Sequence, residues 1–489
     1  MIFYDIFIFL LIFVAFRYIG ILKIKDLGNW TFSFAYLIKV LAGIFFIFVY
    51  SVLYGRGALS ADAGAFMRES RILFDVFSIS PIDYLKLLTG IGESKEIIHH
   101  YLSQTNHWDV GNLTLINDSK NVLRVHSLIH FISFHRETVH MLIIAAVSLL
   151  STKQLYLTFK KLTSLSPVLF FWILILVPST LFWTSGILKE PFMFLGITLL
   201  LRAIIDNSMS IVRKIFFGSL GLLLSFMFKP YILFCAIPAF LFYLIFKYIS
   251  RGRVMIASIG FLLIITGAFV VIPSLGKNTV TYISRKQFDF NNVGKGGIHV
   301  LSDSLYYYFT PDQNKLLRYD NGDVYLTEPT DAYVIYFGKV KRPIPVKLKP
   351  NTTPWKLAFH SVGCESYIEP TLILEDPAQM IKNIPEAFSF SILRPFPTDK
   401  GSWLKFPSFI ELWLIFFLFA FSILRRRSLS FDEKNIYFSL IVFALALFLL
   451  IGWTTPVIGA IARYRFPAQL ALVLAACIIV DPKKIFRHE

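Results

Sequence analysis

Apolar residues along this 489-residue chain gather in blocks of about 15–20, divided by short polar connections and by two long polar segments. A hydrocarbon core of roughly 30 Å needs about 20 helical residues to cross it, so each block predicts a spanning helix. Eleven are predicted, near 2–16, 31–54, 138–157, 166–183, 191–206, 214–228, 231–249, 254–273, 405–424, 436–452 and 466–480. Lys229-Pro230 interrupts one pair where a helix cannot continue normally, so 214–249 also reads as one broken hairpin. The stretch from Met1 to Phe16 shows neither a basic n-region nor a small-residue cleavage site and reads as a span, not a signal peptide.

The two long segments differ in pattern. In the first, about 55–137, Ala61 to Phe77 places Phe66, Met67, Leu73, Phe74 and Phe77 among charged residues, which predicts a helix lying on the membrane. Ser80-Pro81 supplies the cap and first position of a second such helix. In the second, Asp323 to Lys347 alternates Val, Tyr and Ile between Asn-Gly and Pro signals, predicting strands. Asp376 to Phe388 then predicts a helix returning to the membrane. The expected organisation is a transmembrane region over 1–273, an external soluble domain over 274–404 and a second transmembrane region over 405–489. The fold class is an all-α polytopic membrane protein with a small α+β external domain.

Composition agrees with that class. Hydrophobic residues make up 56% and charged residues 16%, against about 25% charged in a soluble domain. The three cysteines, Cys235, Cys364 and Cys477, give no expected disulfide. The net charge of +17 would suit nucleic acid, but most basic residues flank apolar blocks, as orientation signals do; no nucleic-acid partner is expected. Arg17, Lys23 and Lys25 fall in one short connection, Lys160 and Lys161 in the next, then Arg213 and Lys214, then Lys247, Arg251 and Arg253. Arg425-Arg426-Arg427 and the tail with Lys483, Lys484 and Arg487 complete the set. With eleven spans all six fall on one side, which the positive-inside bias makes cytoplasmic. The N-terminus is then outside and the C-terminus inside.

That orientation puts four polar motifs on the outer face: Ser60-Ala61-Asp62, Trp183 to Pro191, Phe228-Lys229-Pro230-Tyr231, and Gly452 to Pro467. Asp62 is the candidate catalytic carboxylate, a general base for an attacking hydroxyl, against the alternative that it caps the helix after it. Arg68 and Glu69 complete the site or pair with each other. Lys189, in an apolar connection, points to an anionic partner, or forms an interfacial pair with Glu190. Arg463 and Arg465 flank Tyr464 and suit a phosphate or pyrophosphate, against simple interfacial anchoring. Lys229 is a further candidate for the anion.

Seven histidines, His99, His100, His107, His126, His130, His135 and His140, precede or enter the third span. His126 and His130 share a helix face at i, i+4. With no HExxH pattern they read as interfacial histidines and not a metal site, and a divalent metal ion is left open as a cofactor. There is no Walker A loop, nucleophile elbow or dinucleotide fingerprint. The cytoplasmic connections are too short for a nucleotide-binding domain, so a donor substrate must arrive through the membrane.

The order of these motifs resembles bacterial membrane proteins of cell-envelope polysaccharide clusters, and more broadly the GT-C class of lipid-linked-sugar glycosyltransferases. The motifs that carry the resemblance are an acidic residue opening an external loop; Pro178-Ser179 with Phe182 to Glu190; Lys-Pro-Tyr; and a late Gly-x-x-x-Arg-Tyr-Arg-x-Pro. It covers roughly 55–273 and 385–480 and leaves out the soluble segment. It implies transfer of a sugar from a polyprenyl phosphate to a glycan, lipid or protein acceptor at the outer face of the cytoplasmic membrane. It implies Asp62 as base, with Lys189, Arg463 and Arg465 holding the lipid phosphate. The alternatives are an O-antigen-type polymerase or ligase resting on Arg394, Arg463 and Arg465, a transporter or flippase, and a non-catalytic subunit docking a partner through 274–404.

Overall fold

The apolar blocks fold as helices. The structure is a computed structural model and describes residues 2–108, 117–302, 305–320, 323–335 and 344–485. Among them six helices are long and apolar enough to cross a membrane, and up to eight if each of two bent pairs is one span. The chain is thus a multi-pass, mainly helical membrane protein carrying a small antiparallel sheet. All eleven predicted blocks fall on helices, but three stop short on length. They are α1 (Ile2–Tyr18, 17 residues), α10 (Glu190–Ile205, 16 residues) and the apolar helix Val254–Ala268.

Two compact units emerge, cut at other places than residues 273 and 404: Met1–Ala236 with Arg425–Arg427 and Cys477–Glu489, and Ile237–Leu424 with Ser428–Ala476. The first unit centres on α2 (Thr31–Phe48, continuing to Leu53), α7 (Glu137–Phe159), α10 and α11 (Ile211–Phe228). At 1.5 Å per residue, the 23 residues of α7 run about 34 Å, a full crossing. Between them α8 (Pro167–Leu176) and α9 (Pro178–Ser185) meet at 61°. Pro178 has no N–H to continue the ladder and forces Val177 into extended backbone (φ −61°, ψ 109°).

Helices α10 and α11 approach closely through glycine. A Cβ on Gly196 would sit 2.7 Å from Ser225 Oγ, and one on Gly221 2.7 Å from the Gly196 carbonyl oxygen. Small residues at such crossings let backbones meet where no hydrophobic effect drives association.

Four basic connections of this unit lie together. Lys160 pairs with Asp26. Arg427 donates to the Leu162 and Ile478 carbonyls at 2.8 and 3.0 Å, and Lys484 to the Arg426 carbonyl at 2.7 Å. The polar helices α3 (Ala61–Ile79), α4 (Pro81–Thr89), α5 (Lys95–Leu102) and α6 (Asp118–Ser133) precede α7.

The expected surface helix at 61–77 needs correcting. α3 buries Phe66, Met67 and Leu73, and it packs on α6. Outward apolar residues remain at the end of α3, Phe77 and Ile79, and continue in Ile82 and Leu85 on α4 and Phe131 and Phe134 on and after α6. Periodicity located the apolar stripe but could not tell a helix neighbour from a lipid one.

In the second unit α12 (Tyr231–Leu244, begun in the first) leads to α13 (Val254–Val271) and α14 (Pro273–Lys295). A seven-stranded antiparallel sheet comes next, in the order β3-β4-β7-β1-β2-β5-β6: β1 Gly297–Ser302, β2 Leu305–Phe309, β3 Leu317–Asp320, β4 Asp323–Leu326, β5 Thr330–Ile335, β6 Ile344–Leu348 and β7 Trp355–Ser361. Its core is Ile298, Val300, Phe309, Val324, Leu326 and Trp355. The strands predicted at 323–347 are β4, β5 and β6, and the helix predicted at 376–388 appears as α15 (Pro377–Lys382) and α16 (Ile384–Phe388). Then come α17 (Lys405–Leu424), α18 (Phe431–Thr454), α19 (Ile458–Tyr464) and α20 (Phe466–Ile479), the last two bent by 46°.

Candidate functional site

Three of the four motifs expected on the outer face belong to the first unit, and there the starts of α6 and α10 meet. Lys189 is the N-cap of α10. Its ammonium lies 2.7 Å from Asp118, the first residue of α6, and donates to Ser119 Oγ at 2.8 Å. The same ammonium stands 5.7 Å from the centre of the buried Phe66 ring on α3, one turn after Asp62. Asp62 is half-buried in the first turn of α3, while Arg68, two turns along, is exposed.

The ion pairs are not those read from adjacency. Lys189 does not pair with Glu190: Glu190 pairs with Lys229 at 3.0 Å, their side chains 1% and 6% exposed. Helix geometry explains the exchange. Neighbouring residues point about 100° apart on a helix, so Lys189 and Glu190 reach different elements. Lys229 is therefore a buried partner that fixes the α11–α12 turn to the start of α10. Glu69 likewise ignores Arg68 and takes His107, through Nδ1 at 3.0 Å and the backbone N–H at 3.1 Å.

Beside this lies a cluster that residue patterns did not reveal. Glu93 accepts from Lys120 at 2.6 Å, Arg124 at 3.1 Å and Trp108 Nε1 at 3.1 Å. Both cations stand over the Trp108 ring, at 5.2 and 5.3 Å. The i, i+4 spacing of Lys120 and Arg124 was a legible sign of one charged helix face. Their carboxylate, some thirty residues away, was not.

Of the seven histidines, His126, His130 and His140 are buried, so these three are not interfacial; His107 and His135 are half-buried, and His99 and His100 are exposed. His126 Nδ1 meets His140 Nδ1 at 2.8 Å, and His140 Nε2 meets Ser133 Oγ at 2.8 Å. His130 meets Ser70 Oγ at 3.0 Å and His135 at 3.2 Å. Burial, then the charge of His130, pushes His126 down to about 3. Burial, then His135 and Arg71, pushes His130 down to about 4. Both rings are thus held neutral. Among the described residues no group of three or more His, Cys, Asp or Glu is arranged to hold a metal ion.

A further lysine lies inside a span: Lys39 of α2 is fully buried and donates to Ser148 Oγ at 2.8 Å, itself 2.6 Å from Thr184 Oγ1. A lone Lys in an apolar run was the available signal.

The fourth motif belongs to the second unit. Arg463 lies 5.8 Å from the Tyr464 ring centre, and Tyr464 packs 6.4 Å from Phe290. Arg465 is fully enclosed and donates to the Ser391 carbonyl at 3.2 Å, the Ser408 hydroxyl at 2.9 Å and the Arg394 carbonyl. Its terminal nitrogens are engaged by protein acceptors from two segments, so Arg463 and Arg465 do not form a matched pair of phosphate ligands. Arg394 pairs with Asp399.

No family model matches this sequence, and neither a curated protein nor a solved structure is similar to it.

Proposed function

We propose that this protein is a membrane glycosyltransferase that moves a sugar from a polyprenyl-phosphate donor to an acceptor at the outer face of a bacterial cytoplasmic membrane. In this reading the chain crosses eleven times, N-terminus out and C-terminus in. The basic connections drawn together at one end of the first unit support that orientation.

The observation that carries the reading is the meeting of the α6 and α10 N-termini at Lys189. Helix N-termini carry a partial positive charge, which suits a phosphate, although the Asn117 side chain already takes the Ser119 and Lys120 N–H groups at the start of α6. Lys189 adds a cation held by Asp118, whose side chain is 43% exposed and can yield its place to an incoming phosphate. As the sugar C1–O bond breaks, negative charge grows on the departing lipid phosphate, and a cation placed there stabilises the transition state more than the ground state. Asp62, on the turn before Phe66, orients the acceptor hydroxyl or takes its proton. For Arg463 the proposed role is a cation for the lipid phosphate; Arg465, Lys229 and Glu190 support the fold.

The test is sugar transfer by the purified full-length chain from a polyprenyl-phosphate sugar, with Asp62→Asn and Lys189→Met compared. Each substitution is expected to lower kcat by about 10²-fold or more. Full activity in both variants rules out the site.

A further inference from the structure

The Glu69–His107 contact has the form of a catalytic dyad. Glu69 is buried, and its two oxygens hold one residue: Oε1 meets the His107 ring at Nδ1, 3.0 Å away, and Oε2 accepts the His107 backbone N–H at 3.1 Å. Burial pushes the Glu69 carboxyl up, and the hydrogen bonds and charge of His107 more than offset this, so it lies below the usual range. An ionised carboxylate can only accept, so Nδ1 is the donor in this contact and Nε2 is the ring nitrogen left to take a proton. The His107 side chain is 26% exposed, and among the described residues no group bonds Nε2. The ring stands 5.5 Å from the Phe66 ring centre, and Lys189 Nζ stands 5.7 Å from that same centre, so imidazole and ammonium are no more than about 11 Å apart.

We infer that His107, oriented by Glu69, is the general base of the site, taking the acceptor's proton while Asp62 orients the hydroxyl. This rests on the sugar-transfer reading. The acceptor oxygen forms its bond to C1 as its O–H proton passes to Nε2. The C1–O bond to phosphate breaks, and the lipid phosphate leaves with the electron pair toward Lys189. His107 then returns its proton to water. The remaining clustered histidines cannot play this part, because His126, His130 and His140 are enclosed.

The experiment measures kcat and KM of the full-length protein, His107→Ala and Glu69→Gln, with and without added imidazole. His107→Ala is expected to lose 10²–10⁴-fold in kcat with donor KM within about threefold of wild type. Imidazole should restore at least about tenfold, which a purely structural loss would not allow. Glu69→Gln should lower kcat about 10–100-fold without rescue. Full kcat in His107→Ala, or a loss that imidazole leaves unchanged, overturns the assignment. In parallel, diethyl pyrocarbonate labelling of the wild type, mapped by peptide mass, should fall on His107 and spare His126, His130 and His140. Labelling that spares His107 overturns the open Nε2 even if sugar transfer is observed. A wild type that labels at His107 but transfers no sugar overturns the sugar-transfer reading, and the base role with it.

Discussion

Removing the Lys229 ammonium while leaving Glu190 in place would strand a carboxylate that is 1% exposed. The pair is 3.0 Å apart with the lysine side chain only 6% exposed, and Lys229 also stands 5.4 Å from the Tyr231 ring centre. Breaking a buried pair from one side costs about 3–5 kcal/mol, because the remaining charge has lost its counter-ion without regaining water. The cation–π contact adds about 0.5–1 kcal/mol. At roughly 2 °C per kcal/mol for a large domain, Lys229→Met should lower the thermal midpoint by about 7–12 °C. Glu190→Gln should cost a similar amount. The double variant Glu190→Gln/Lys229→Met should recover much of it, since two neutral groups leave no buried charge. The assay is tryptophan fluorescence on heating the detergent-solubilised protein, with all four members of the cycle measured in parallel. A neutral Lys229→Met, together with weakened donor binding, would refute the reasoning and make Lys229 a ligand for the anion. Additive single effects would equally show that the two charges do not act as a pair.

The packing gives two further expectations. Gly221→Leu should separate α10 from α11 and sharply reduce folded, monodisperse protein in size-exclusion chromatography, because even its Cβ would meet the Gly196 carbonyl at 2.7 Å; normal yield and thermal midpoint would refute the close crossing. Stability should also fall on acidification. His126 and His130 are pushed from 6.5 to about 3 and about 4, so below pH 6.5 the unfolded chain takes up protons that the folded chain refuses. The stability they support is complete above pH 6.5 and is lost as pH falls toward 4, by about 1.4 kcal/mol per histidine per pH unit. Midpoints measured from pH 7.5 to 4.5 should drop less steeply in His126→Leu than in wild type; equal slopes would contradict the burial.

Much of the scaffold was legible in the chain itself. Apolar blocks of spanning length locate helices because a helix satisfies its backbone within one segment, so the block carries its own structure. The same holds for the alternation at 323–347, whose described residues became β4, β5 and β6, and for the break at Lys229-Pro230, whereas the bend at Pro178 fell inside a stretch read as one span, 166–183. The site was legible only as a set of residue types near span ends. Lys189 and Asp62 were found because charge beside an apolar block is costly wherever it lies.

Which charge answers which was decided by tertiary structure alone. Lys189 with Asp118, Glu190 with Lys229, Glu69 with His107, and Glu93 with Lys120 and Arg124 join residues 27 to 71 positions apart, where adjacency had offered only Lys189 with Glu190 and Arg68 with Glu69 as possible pairs. Burial was decided there too: much of the α3 stripe found α6, His126, His130 and His140 were enclosed, and Arg465 was taken up by the carbonyls around it. The physical reason is common to all of these. A sequence pattern reports that a face is apolar or a residue charged, while the free energy of either depends on the group opposite, which only the packed chain supplies.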